Sequence, residues 1–185
     1  DRSRYISYYD IYVTDYSSYY STGTTSTQFD GESQLTSAID YVTNEDLPVV
    51  YTLTGHGESD LPSSLSSGAE EENLLLEELT LLTEEAVPED ADALIIYAPQ
   101  SDISADEKDM LLTYLQGGGK LLLVTDYTET AMPNLAEVMA YYGTSLADGI
   151  VWLTTSYMFN DDVDMLVSGA NTDLFLNALD WMCQR

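Results

Sequence analysis

The sequence predicts an α/β fold, a mostly parallel sheet with helices on both faces, and three observations carry that expectation. Short apolar runs, Pro48 to Thr54, Ala93 to Ala98 and Lys120 to Asp126, are nearly continuous in hydrophobicity, as strands covered on both faces are. Amphipathic stretches with helical spacing lie between them, giving the strand–helix rhythm of a parallel sheet. The first two runs end in glycine- or proline-marked loops, the sharper being Gly55-His56-Gly57 around the only histidine, and Gly117-Gly118-Gly119 precedes the third.

The chain has 185 residues, 44% of them hydrophobic, enough for one domain with a sizeable core, or a domain with an arm. Thirty-three acidic residues against 5 Lys plus Arg give a formal net charge of -28. The basic residues are Arg2, Arg4, Lys108, Lys120 and Arg185, so no basic patch forms. That excludes nucleic acid as a partner and disfavours direct docking on anionic lipid. The acidity itself reads first as a solvated surface that resists aggregation. Cys183 stands alone, so neither an internal disulfide nor a cysteine-based zinc site is possible. No run approaches the roughly 20 apolar residues of a membrane-spanning helix. A chain opening Asp1-Arg2-Ser3-Arg4 reads as an excised segment, so that absence says nothing of a parent protein.

In chain order, residues 1–29 are a tyrosine-rich arm or edge strand, with Ile11 to Thr14 the stretch that suits a strand. Its rings, Tyr5, Tyr8, Tyr9, Tyr12, Tyr16, Tyr19 and Tyr20, are expected to cover a sheet edge of their own domain, or else to stack on a sugar or a partner. The α/β domain is expected over 30–185. Leu35, Ala38, Ile39 and Val42 fall at i, i+3, i+4 and i+7 and predict a helix from Asp30 to about Thr43 with that face in the core. The strand Pro48–Thr54 follows, then a helix capped near Asp60 and Pro62 that carries Leu61, Leu65 and Ala69. A strand of about five residues is expected within 74–82, where the rhythm leaves a slot. After the strand over 93–98, Ser104 and Glu107 form a capping box for a helix with Met110, Leu111, Tyr114 and Leu115 inward. Gly117-Gly118-Gly119 stops that helix before the strand over 120–126. Pro133 opens a helix ending at Gly143, a strand is expected over 149–153, and a last helix over about 172–182 carries Leu174, Phe175, Ala178, Leu179 and Trp181.

Sites of parallel sheets gather at the carboxyl ends of strands, which singles out Gly55, His56, Gly57, Glu58, Gln100, Ser101 and Asp126 as candidate ligand-binding residues. His56 with Glu58, completed by Asp126, would suit a one-histidine metal site or an acid–base pair. The reading preferred for His56 is that it hydrogen-bonds a backbone carbonyl and braces a tight loop. A serine triad lacks its Gly-x-Ser-x-Gly elbow, and Gly117–Lys120 lacks the strand before and the helix after that a phosphate loop needs. Asn160, Asp162 and Asp164 have alternate-residue oxygen spacing, but Met165 and Asn171 stand where a calcium loop needs Gly and Glu, so this is a turn. No metal or cofactor is expected.

Several stretches together resemble the extracytoplasmic domain of GldG-like proteins, auxiliary components of ABC transport systems named after gliding motility. They are Phe29-Asp30-Gly31-Glu32, Leu53 to Glu58, Val87 to Ile96, Ala98 to Ser104, Gly118 to Leu123, Pro133-Asn134-Leu135 and Asn177 to Trp181, in order over about 29–185. The resemblance implies a fold similar to the flavodoxin-like and class I glutamine amidotransferase-like types. It implies a domain at the cell membrane of the parent protein, on the extracytoplasmic side, whose partners are the ABC permease and ATPase subunits of the same system. The amidotransferase nucleophile would be a cysteine at a strand-to-helix elbow, and none stands after Thr125-Asp126. The function expected is therefore non-catalytic binding of a partner protein or envelope ligand. A small-molecule or glycan-binding domain is the second reading, and a hydrolase using His56 and Glu58 the third.

Overall fold

The computed structural model describes residues 2–16, 18–126, 128–143, 161 and 170–183. Its helices are α1 (Tyr8–Ile11), α2 (Tyr19–Thr22), α3 (Gly31–Thr43), α4 (Ser63–Glu71), α5 (Ala105–Gln116), α6 (Pro133–Tyr141) and α7 (Ala170–Met182). Its strands are β1 (Tyr12–Asp15), β2 (Ser26–Phe29), β3 (Val49–Leu53), β4 (Leu75–Leu79), β5 (Ala91–Tyr97) and β6 (Leu121–Val124). The expected strand over 149–153 and the turn at Asn160, Asp162 and Asp164 lie outside the described residues.

Two units alternate along the chain, one of Asp1–Pro48, Pro62–Leu75 and Tyr157–Trp181, the other of Val49–Leu61, Leu76–Ser156 and Met182–Arg185. The second carries the sheet. Its strand order is β4-β3-β5-β6. Val50 to Thr52 pair in parallel with Ala93 to Ile95, and Leu94 to Tyr97 with Leu121 to Val124. Backbone bonds Leu75 N to Pro48 O and Thr54 N to Leu79 O run in the same sense, so β4 is parallel too. This is an α/β fold with a four-stranded parallel sheet flanked by helices. The chain leaves β3 toward one side and β5 toward the other, as in flavodoxin-like sheets, so the order reverses between these two central strands.

Alternation places Leu53, Leu79, Leu94 and Ile96 on one face, where they form a core with Ile103, Leu111 and Leu115 around α5 and Leu135 and Val138 of α6. Val50, Ala93 and Ile95 of the opposite face are fully buried as well, which is why these strands read as unbroken apolar runs. The Ser104–Glu107 capping box is formed as expected. Asp102 caps the next helix from a distance, its two oxygens accepting from Asn134 N and Leu135 N, both at 3.0 Å. Gly118 ends α5 in the left-handed region at φ +96°.

In the first unit, β1 and β2 form an antiparallel hairpin from Tyr12↔Phe29 to Asp15↔Ser26. Among the described side chains the arm's rings Tyr5, Tyr8, Tyr9, Tyr12, Tyr16 and Tyr19 are exposed, Tyr5 at 87% and Tyr9 at 82%; Tyr8 packs on Tyr9 and Tyr12, and Tyr12 on Phe29, so these rings pack on one another and do not cover a sheet edge as expected. Asp60 does not cap α4, whose N-cap position is Pro62. The cap comes instead from Asp161, which accepts from Ser64 N at 2.9 Å and the Ser63 hydroxyl at 2.6 Å. Gly68 lets α7 approach, since a Cβ there would sit 2.9 Å from Leu176 Cδ1. In α7, Phe175 and Leu179 are buried, while Leu174 and Trp181 are exposed.

The largest departure is α3. Leu35, Ile39 and Val42, expected in the core, are 57%, 61% and 46% exposed. The residues it buries are Gly31 and Gln34. Its inner side is fastened by polar groups around Asn73, itself buried: Asn73 Nδ2 donates to Ser37 O at 2.9 Å and Asp40 Oδ2 at 3.1 Å. Arg4 donates to Asn73 Oδ1 and, at 3.0 Å, to Glu70 O, while Ser37 Oγ donates to Glu71 O. A buried amide must find partners, and those partners on α3 dictate which side of the helix faces in.

Candidate functional site

The site is built on the carboxyl ends of β3 and β5, the two strands between which the sheet order reverses. After Leu53 the chain turns through Gly55 at φ +121° and Gly57 at φ +75°, backbone that side chains rarely adopt. At Gly57 space is short as well, since a Cβ would stand 3.1 Å from Gln100 Cβ. After Tyr97, Ala98 is held at φ +51°, an unusual value for a non-glycine residue, and its amide donates to Val124 O at 2.8 Å. The loops are then tied across: Ser59 N donates to Tyr97 O, and His56 O accepts from Gln100 N at 3.0 Å, Ser101 N at 2.9 Å and Ser101 Oγ at 3.0 Å.

His56 is the centre of this arrangement and is buried, 7% exposed. Its amide donates to Glu58 Oε2 at 2.7 Å, and its ring Nδ1 lies 3.3 Å from Glu58 Oε1. Its Nε2 lies 3.2 Å from Glu107 Oε2, the oxygen that also accepts from Ser104 N at 2.8 Å. Two carboxylates thus face the two ring nitrogens. Burial pushes the Glu107 carboxyl up, but the contacts from Ser104 and the His56 ring outweigh it and hold that carboxyl below its ordinary value. Glu107 Oε1 is buried without a partner among the described residues.

The brace expected of His56 is therefore present with different partners. The ring meets carboxylates and not a backbone carbonyl, while the His56 carbonyl does the tying. Asp126 lies two residues beyond β6, and the carboxylate at the second ring nitrogen belongs to Glu107. The sequence marked Glu107 only as a helix cap. Its second role follows from the capping box itself, which fixes the carboxylate at the start of the helix that follows the β5 loop. Above this buried core, Gly55, Gly57, Gln100 and Ser101 are exposed, a polar and largely backbone surface on a rigid support.

Carboxylate oxygens face both ring nitrogens, and Ser101 Oγ donates to a carbonyl instead of a base. Among the described residues, no three His, Cys, Asp or Glu side chains converge as metal ligands. A groove of about 760 Å³ exists, but Ala91 and Lys120 in its wall place it at the amino ends of β5 and β6, away from the His56 loop.

Compared with models of protein families, residues 47–150 match the family described as an ABC-type uncharacterized transport system. That stretch, more than half of the chain, runs from before β3 past α6 and includes every candidate site residue. Neither the curated proteins nor the solved structures provide a match.

Proposed function

Because this chain belongs to the family of ABC-type uncharacterized transport systems, we propose that it is a non-catalytic auxiliary domain that binds a partner protein or an envelope ligand at the strand-end surface above His56. The observation that carries this reading is the exposed rim of Gly55, Gly57, Gln100 and Ser101 held over a buried His56–Glu58–Glu107 core where the strand order reverses. Recognition without chemistry needs a preorganised surface, and hydrogen bonds that lock the loop reduce the ordering that binding would otherwise require. The engaged imidazole supports binding over catalysis. The partners are the permease and ATPase subunits of the same system, and the domain stands on the extracytoplasmic side of a membrane-associated assembly of GldG-like type. Among the described residues no helix is long and apolar enough to cross a membrane.

The test is affinity capture of the tagged parent protein from native membranes, with Ser101→Trp and Gln100→Glu as rim variants. The expected result is recovery of the permease and ATPase with the unaltered protein, a loss of at least tenfold with the rim variants, and a melting temperature little changed in Gln100→Glu, which keeps the backbone ties to His56, while Ser101→Trp also gives up the hydroxyl bond to His56 O. Undiminished capture by both variants overturns the assignment of the surface. A protein recovered alone overturns the auxiliary reading.

A further inference from the structure

Helix α3 is amphipathic in sequence and turned outside in. Its exposed residues are Glu32, Ser33, Leu35, Thr36, Ile39, Val42 and Thr43, so past the first turn the outer face carries no charge. The chain around it has 33 acidic residues. The apolar stripe continues beyond the helix: the Phe29 ring, 68% exposed, lies directly over Gly31, where a Cβ would come within 2.5 Å of it. Phe29 in turn stacks on Tyr12 at 5.6 Å, and Tyr12 on Tyr8 at 4.8 Å.

We propose that this face is a self-association surface on which two copies of the chain pair α3 against α3, antiparallel about a two-fold axis near Ile39. Three features favour a second copy as the occupant. Leu35 and Val42 lie four residues before and three after Ile39, so an antiparallel partner sets Leu35 of one copy beside Val42 of the other, the self-complementarity an isologous contact needs. Leu35, Ile39, Val42, Phe29 and Tyr12 leave on the order of 500 Å² uncovered, so a pair that covers all of it removes at most about 1,000 Å² from water, the floor of specific interfaces. Charge points the same way. A basic partner is drawn to carboxylates and not to this face, whereas two acidic copies can approach only where carboxylates are missing.

The experiment is sedimentation of this chain from about 1 to 200 μM at 0.15 and 0.5 M salt, alongside Ile39→Asp and the conservative Ile39→Val. The expected result is a mass that climbs to twice that of the chain with concentration, and does so earlier at high salt because screening relieves like-charge repulsion. Ile39→Asp should weaken pairing at least tenfold with its melting temperature little changed, since the residue is 61% exposed, while Ile39→Val retains it. A wild-type chain that stays monomeric throughout, or an Ile39→Asp chain that pairs undiminished, overturns the proposal. A monomer that co-sediments with zwitterionic vesicles does so too, and assigns the face to lipid.

Discussion

Replacing His56 with alanine should destabilise the sheet-bearing unit by about 3 kcal/mol, and the size of that loss tests whether the imidazole holds the strand-end loops together. The backbone bonds of His56 survive the change, so the loss comes from the ring alone. The side chains of Glu58 and Glu107 are 5% and 2% exposed, and removing the ring leaves two carboxylates in a place water hardly reaches. Breaking one buried pair costs about 3–5 kcal/mol. Each carboxylate keeps a backbone donor, His56 N for Glu58 and Ser104 N for Glu107, which puts the estimate at the lower end of that range. For a chain of this length that corresponds to a fall in Tm of roughly 6–12 °C. Urea unfolding followed by circular dichroism measures it directly. The decisive arm is the double variant His56→Ala/Glu107→Gln, in which the second change removes a stranded charge. It should be more stable than the sum of the two single losses by about 1 kcal/mol or more. A His56→Ala loss below about 1 kcal/mol, with additive behaviour in the double variant, would refute the reasoning.

Three further outcomes follow from the same geometry. The Glu107 carboxyl is held below its ordinary value, so its contribution is complete above the unfolded-state pKa and is lost as pH falls through the lower folded value; Glu107→Gln should therefore flatten the acid limb of a stability-against-pH curve, and an unchanged limb would count against the pairing. Gly57→Ala must hold a side chain at φ +75° against Gln100 and should cost about 1–2 kcal/mol, measured by urea titration, whereas Gly23→Ala, at φ +71° with open space around it, should cost less. Asp102→Ala removes the cap from two α6 amides and should cost about 1 kcal/mol, only partly recovered in Asp102→Asn, whose single amide oxygen can accept from one of the two; an Asp102→Ala chain as stable as the wild type would show that these bonds do not hold the helix end.

The order of strands and helices was legible because it rests on local signals. Continuous apolar runs marked β3, β5 and β6, glycines and Pro133 marked ends and starts, and Ser104 with Glu107 announced α5 through bonds three residues apart. The loop around His56 was legible for the same reason, since glycines on both sides of a lone histidine after a strand admit few other arrangements. Periodicity alone was misleading in α3. Spacing shows that Leu35, Ile39 and Val42 share a face, but says nothing about whether that face points inward.

What the sequence determined by itself was the α/β class, the near position of every described strand and helix of the sheet-bearing unit, and the strand-end loop where function is sought. All of these depend on residues within one or two turns of each other. Tertiary structure decided which distant groups meet. Parallel pairing of β3 with β5 carries Glu107 to a histidine 51 residues earlier in the chain, and the buried Asn73 selects the polar side of α3. The physical reason is the same in both cases: a buried hydrogen-bonding group must be satisfied, and its partner is chosen by where the folded backbone brings donors and acceptors together, not by distance along the chain.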